Sequence, residues 1–261
     1  MDAREGTMIL YLDSSRGISA ALVLGALLDA GADAALVQRI LGTVTLPRIA
    51  LMRGTGHAGN IAGTVASVAI GPVRRGTPLI DVIRALEGGQ APLAVRTWGG
   101  GMVVRLLEAA AMTRGEPLDA VPLTDPVTVA ELIAVSAALA ALRVVRVYAA
   151  SLAGSRQQAA GSDSDNVLST LLLKEAEWPV SANGATDVAV TPGGAAILAA
   201  LAEPGVPPLR LSAVGYGIAE DAPQVLRCWL GTPYTSGDGP RLSGTRVASA
   251  HIHPHERGDD H

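Results

Sequence analysis

Met8-Ile9-Leu10-Tyr11-Leu12-Asp13 runs into Ser14-Ser15-Arg16-Gly17 and then into a stretch that ends at Leu28-Asp29-Ala30-Gly31. The first six residues form a nearly continuous apolar run closed by an acid, the pattern of a strand buried on both faces. After the polar turn the period changes. Ile18, Leu22, Gly25 and Leu28 fall on one helical face, and Asp29 with Gly31 supplies a polar end and a left-handed C-cap. This is a strand-turn-helix unit. In open α/β sheets ligands collect at the carboxyl ends of strands, where helix N-termini present unpaired N–H groups. Asp13 is therefore the first functional candidate, with Tyr11, Ser14 and Ser15 beside it. A plainer reading has Asp13 or Ser15 capping the helix.

Working outward, Asp33 can cap a helix through Leu36, Ile40 and Leu41, and Leu46 to Met52 reads as a strand. A glycine-rich turn follows, with His57 and Asn60 among Gly54, Gly56, Gly59 and Gly63, before a second strand from Thr64 to Ile70. Gly54-x-Gly56-x-x-Gly59 matches a dinucleotide fingerprint as a string, but neither a helix nor a ribose-binding acid follows, so that reading is rejected. His57 is the only histidine outside the C-terminal end and joins the substrate-binding candidates. Thr77 and Pro78 open a helix to Gly88. A loop leads to Trp98, and Gly99-Gly100-Gly101 precedes a second helix from Met102 to about Met112. Thr128-x-x-Glu131 reads as a capping box for the helix carrying Leu132, Val135 and Leu139. Val144 to Tyr148 then reads as a buried strand, giving a crossover unit.

Ser151 to Asn166 is small and polar and reads as a surface loop able to cover a site. An apolar pattern resumes from Val167 to Leu173, and Asn183-Gly184 marks a turn. Val188 to Val190, Thr191-Pro192-Gly193-Gly194 and Ala195 to Ala202 form a second strand-turn-helix, whose N-terminus and Thr191 hydroxyl suit a carboxylate or phosphate. Leu209 to Val214 and Gln224 to Leu230 read as the last strands. The expected architecture is α/β, a mixed, partly parallel sheet flanked by helices in a single domain over residues 1–231. Residues 232–261 are expected to form a polar, His-rich, disordered tail.

Composition narrows the partners. The chain of 261 residues is 49% hydrophobic, yet no apolar run reaches the roughly 18 residues that span a bilayer. Residues 1–7 carry charges without an apolar signal core, so a cytoplasmic protein with no membrane partner is expected. A net charge of −4, no Phe and 3% aromatic residues argue against nucleic acid. The single cysteine, Cys228, excludes an internal disulfide and a cysteine-built metal cluster. The partner expected is a small-molecule substrate, with homo-oligomerisation left open.

Three segments taken together resemble the LarC family of nickel-insertion proteins. They are Tyr11-Leu12-Asp13 with Gly17-Ile18-Ser19 and Leu24 to Gly31; Val147-Tyr148-Ala149; and Val190-Thr191-Pro192 with Val214-Gly215-Tyr216-Gly217 and Val225-Leu226-Arg227. The resemblance covers the family's N-terminal portion and implies insertion of nickel into a pyridinium bis-thiocarboxylate mononucleotide, using a nucleotide triphosphate. The family's metal-binding side chains are largely exchanged: Pro122 and Thr124 stand for imidazoles, Ala130 and Val188 for acids, and Ala160 for a histidine. Ala20-Ala21 replaces a Gly-Asp pair. Nickel needs several imidazole, thiolate or carboxylate donors converging on one point. The leading expectation is therefore a LarC-like protein without cofactor, acting as a metal-independent cyclase, isomerase or lyase on a small, largely apolar metabolite. Its pocket would be lined by Tyr11, Asp13, Trp98, Thr124, Asp125, Thr191 and Tyr216, with Asp13, Asp125 and Thr124 in catalytic roles. The alternatives are a nickel-binding accessory protein of nickel-pincer cofactor assembly, which would handle nickel and nucleotide, and a non-catalytic interaction subunit. His251, His253 and His255 form a string that can chelate nickel or zinc.

Overall fold

The computed structural model describes residues 7–44, 47–153, 157–158, 163–181, 188–220 and 224–234. Its centre is the opening stretch. β1 (Met8–Asp13) pairs in parallel with β5 (Val144–Ala149) on one side and antiparallel with β12 (Val225–Pro233) on the other. The remaining strands of this sheet are β3 (Ile49–Ala58), β4 (Ile61–Ile70), β10 (Ala202–Pro204) and β11 (Leu209–Ile218). Their order is β10-β5-β1-β12-β11-β4-β3, a mixed seven-stranded sheet. Thr232 and Pro233 continue β12 beyond the boundary expected at residue 231. The expected tail from residue 235 and the Asn183-Gly184 turn lie outside the described residues.

Helix α1 (Ala20–Asp29) lies along the middle of the sheet, and the contact is close because the strand residues beneath it are glycines. A methyl at Gly215 would overlap the Ala26 carbonyl, and one at Gly217 the Leu22 carbonyl. Ser19 caps α1 by accepting from the Leu22 N–H at 3.1 Å, so the cap is neither Asp13 nor Ser15. Gly31 takes φ +108° just past the helix, as a left-handed terminator should. Asp29, at the last helical position, ties α1 to two strands by accepting from the Tyr216 N–H at 2.9 Å and the Thr64 hydroxyl at 3.0 Å.

The other helices are α2 (Ala34–Leu41), α3 (Leu79–Gly88), α4 (Leu93–Arg114), α5 (Pro126–Ala141), α6 (Asp163–Glu175) and α7 (Pro192–Leu201). Leu10, Leu12, Leu226, Cys228 and Leu230 of the sheet share one core with Leu24 and Leu27 of α1, Leu132 and Leu139 of α5 and Ile197 of α7. Ile9 and Tyr11, which point the other way, are buried but belong to no helix-packed cluster. Among the described residues no helix is long and apolar enough to cross a membrane.

Several boundaries differ from the sequence reading, each for a physical reason. Gly99, Gly100 and Gly101 do not break α4; the helix runs unbroken because Gly99 lets it approach Ser136 of α5, whose Oγ lies 3.1 Å from where a Cβ would stand. Gly54 and Gly56 lie inside β3 rather than in a turn, and only Gly59 and Asn60 make the bend. His57 is accordingly an exposed strand residue near the hairpin tip. Pro78 is the N-cap of α3 rather than its first residue. Helix α5 begins at Pro126, capped by Asp125 rather than by Thr128. Part of the stretch expected to be a loop is ordered: residues 152–153 form β6 and α6 begins at Asp163. β5 exposes Val145 and Arg146, so it is not buried on both faces.

Candidate functional site

Three helices start at one place. Strand β2 (Gly17–Ile18) pairs in parallel with β9 (Val188–Val190), and the Thr191 N–H donates to the Ile18 carbonyl at 3.1 Å. This brings the Ser19 cap of α1 beside the Thr191 cap of α7, where the Thr191 hydroxyl accepts from the Gly194 N–H at 3.1 Å. The turns after β1 and β9 therefore adjoin. A Cβ on Gly193 would lie 3.0 Å from Thr128 Cγ2 and 3.2 Å from Ala20 Cβ, so the first turns of α1, α5 and α7 are in contact. Each helix start carries partial positive charge; its cap takes one first-turn N–H, and the N–H groups left over can meet an anion.

The third start is pinned from outside. The segment before α5 pairs with the entry to α3: the Leu79 N–H donates to the Val121 carbonyl and the Leu123 N–H to the Thr77 carbonyl, both at 2.8 Å. Pro122 and Thr124 are thereby fixed at the rim of a small cavity of about 80 Å³, with Arg114, Asp125, Thr128, Asp165 and Pro192 around it. Asp125 Oδ1 accepts from the Thr128 N–H at 3.0 Å, the capping arrangement. Glu131 lies one turn beyond Thr128 on α5. Burial pushes its carboxyl up from 4.5 to about 7, with repulsion from Asp125 adding to the rise. Among the described residues its carboxylate has no hydrogen-bond partner. A carboxyl group in that range both accepts and releases a proton at neutral pH. In sequence Glu131 reads only as half of a capping box; the signal for its raised pKa is an acid among apolar positions on a largely buried helix.

The residues expected to form one pocket separate into two groups. Thr124, Asp125 and Thr191 belong to the helix starts. Tyr11, Asp13 and Tyr216 lie on the opposite face of the sheet, in register with Trp229 and Arg227. There Asp13 Oδ2 accepts from Arg227 at 2.7 Å and its Oδ1 from the Ser15 hydroxyl at 2.8 Å. The Arg227 guanidinium stacks 5.0 Å above the Trp229 ring, and the Tyr11 and Trp229 rings lie 5.0 Å apart. Burial and the Asp13 carboxylate push the Tyr11 hydroxyl up, against Arg227. Ser14 is fully buried and donates to the Ala150 carbonyl at 2.8 Å, a structural role. Trp98 sits in α4, packed against the core, and His57 stands at the far hairpin. His251, His253 and His255 lie outside the described residues, as does Ala160. Among the described residues no three His, Cys, Asp or Glu side chains are grouped to hold a metal ion.

The model of a family described as nickel insertion protein matches residues 10–253. A protein of Roseiflexus castenholzii named "Putative nickel insertion protein" is 32% identical over 255 residues, covering 94% of this chain and 64% of the relative. One of Myxococcus xanthus with the same name is 30% identical, covering 85% of this chain and 60% of the relative. The pyridinium-3,5-bisthiocarboxylic acid mononucleotide nickel insertion protein of Nocardioides is 28% identical, covering 89% and 62%. The chain thus spans 60 to 64% of the length of these relatives. No solved structure matches. These matches overturn the expectation of a protein without cofactor and point to nickel handling. They give no support to a metal-independent cyclase or lyase of specialised metabolism and favour the accessory-protein alternative. The match runs over nearly the whole chain, and the chain belongs to the nickel insertion protein family.

Proposed function

We propose that this chain is a nickel-handling accessory protein that binds a pyridinium mononucleotide, the class of molecule named for the Nocardioides relative, and presents it for nickel insertion. The observation that carries this is the meeting of the α1, α5 and α7 starts, whose free backbone N–H groups suit an anion, in a chain whose Nocardioides relative is named for a mononucleotide. The phosphate or a thiocarboxylate of the substrate sits at those N–H groups, with Arg114 at the rim. Nickel is cargo here. Thiocarboxylate sulfurs are soft donors, so the bound substrate itself supplies metal ligands that the described residues do not. Insertion of a divalent metal into an organic acid releases protons, and the pKa of about 7 at Glu131 supports it as the group that accepts one.

Titration of pyridinium-3,5-bisthiocarboxylic acid mononucleotide into the protein, by calorimetry with and without Ni²⁺, tests this. The expected result is saturable one-to-one binding of the mononucleotide without metal and tighter binding with it. No heat with either, at concentrations where a simple mononucleotide such as AMP is also silent, would sink the proposal.

A further inference from the structure

At one end of the sheet, no described strand pairs with the outer side of the last strand. β3 is the outermost strand, and its ladder with β4 runs without a register shift from Ile49↔Ile70 to Ala58↔Ile61. In an antiparallel pair, alternate residues direct both N–H and C=O away from the partner. Gln38 of α2 identifies which ones: its side-chain amide donates to the Ile49 carbonyl at 2.9 Å and accepts from the Leu51 N–H at 2.8 Å. Odd-numbered residues therefore point outward. Gln38 already mimics an adjoining strand over the first two of them, and Arg53, Thr55 and His57 continue the same outward row beyond its reach. All three are exposed, and no hydrogen bond from their backbone to another element is recorded among the described residues. No proline, bulge or lysine lies between Arg53 and His57, and the Arg53 charge is the one edge-blunting device on this segment.

Charge decides what fits there. Arg53 and His57 share one face of the strand with Thr55 between them, and no acid occupies Arg53 to Asn60. The Arg53 guanidinium has no carboxylate partner among the described residues. We propose that Arg53–His57 is a docking edge for an extended peptide segment of a partner protein, added as an eighth strand and carrying a carboxylate opposite Arg53. The backbone rows give the affinity and the Arg53 contact the choice of an acidic strand. This site is independent of the helix starts and does not rest on the nucleotide proposal.

The test uses the full chain and a fluorescein-labelled acetyl-Val-Glu-Val-Thr-Val-Glu-amide peptide followed by anisotropy. Its controls are the same peptide with lysine for glutamate and one N-methylated at alternate residues. The expected result is saturable binding of the acidic peptide, about tenfold weaker for the lysine peptide and for Arg53→Glu, and lost on N-methylation. Thr55→Pro removes an outward N–H where an edge strand tolerates proline, so it abolishes binding while the melting temperature holds. Arg53→Glu is exposed and serves if Thr55→Pro does not fold. Three outcomes would overturn the proposal: no saturable binding, binding indifferent to both substitutions, or self-association of the protein that Thr55→Pro dissolves. The last would put a second copy on the edge instead.

Discussion

The two faces of the central sheet carry the same kinds of residue and treat them differently. On the face free of helices among the described residues, the carboxylate of Asp13 is held by Arg227 and Ser15, and Arg146 is held by Glu203 at 2.8 Å and stacked 5.2 Å from Tyr148. Among the described residues these ion pairs are closed, although the Arg227 Nε is buried without a hydrogen-bond partner. On the helix-bearing side Glu131, half-buried one turn beyond Thr128, has no hydrogen-bond partner among the described residues. A satisfied polar group stabilises or positions, whereas an unsatisfied titratable group beside an anion site has proton affinity available for chemistry. On the proposed reading, this contrast favours Glu131 over Asp13 as the group that accepts a proton.

The largest expected effect follows from that shift. If the chain takes part in nickel insertion as proposed, Glu131→Gln should lower it by about 10²-fold and Asp13→Asn leave it within about threefold, measured as nickel transferred to the mononucleotide. The same substitution reads out in stability. Because the folded carboxyl titrates near 7 and the unfolded one near 4.5, the folded protein binds more protons between those values, and stability falls as pH rises through that window. The penalty is absent below pH 4.5 and complete above 7, at about 3 kcal/mol. Melting curves of Glu131→Gln should lack this slope and lie roughly 5–10 °C higher at pH 8.

Next in size is the contact that joins the helix starts. A methyl at Gly194 would overlap the Ile18 carbonyl, so Gly194→Ala should cost about 2–4 kcal/mol in urea unfolding, with the m-value unchanged. Asp125→Ala removes the α5 cap and should cost about 1 kcal/mol. The smallest effect belongs to the helix-free face: Glu203→Gln breaks an exposed pair and should change stability by less than about 0.5 kcal/mol. A loss of several kcal/mol there would show that the face is structurally coupled to the core.

Much of the fold was legible because local signals agreed with the tertiary outcome. The apolar run of β1, the Asp33 cap of α2 and the Thr191-Pro192 start of α7 are all visible in sequence and appear where expected. Some glycines that serve contact read as turns in sequence, although Gly25, pressed against the Thr64 carbonyl, reads correctly as helical. Gly99 serves α4 against α5, and Gly56 makes room for Val65 and Ile218. Which face of the sheet a residue serves depends on where distant helices lie, so Tyr11, Asp13 and Tyr216 were grouped with Thr124, Asp125 and Thr191 although the sheet separates them. Glu131 was hidden by its own plausibility as a capping residue. Its burial arises from packing around α5, which no local pattern reports.

The central claim is that the mononucleotide binds at the helix starts and not on the aromatic face. Calorimetric titration of pyridinium-3,5-bisthiocarboxylic acid mononucleotide into Thr128→Trp and Trp229→Leu, with folding checked by melting temperature, tests it most directly. Thr128 is half-buried at the mouth of the cavity, so tryptophan there should block the anion site and weaken binding at least about 30-fold, or 2 kcal/mol, while Trp229→Leu binds as the wild type does. Binding that survives Thr128→Trp and is lost in Trp229→Leu would contradict the account and move the site to the other face of the sheet.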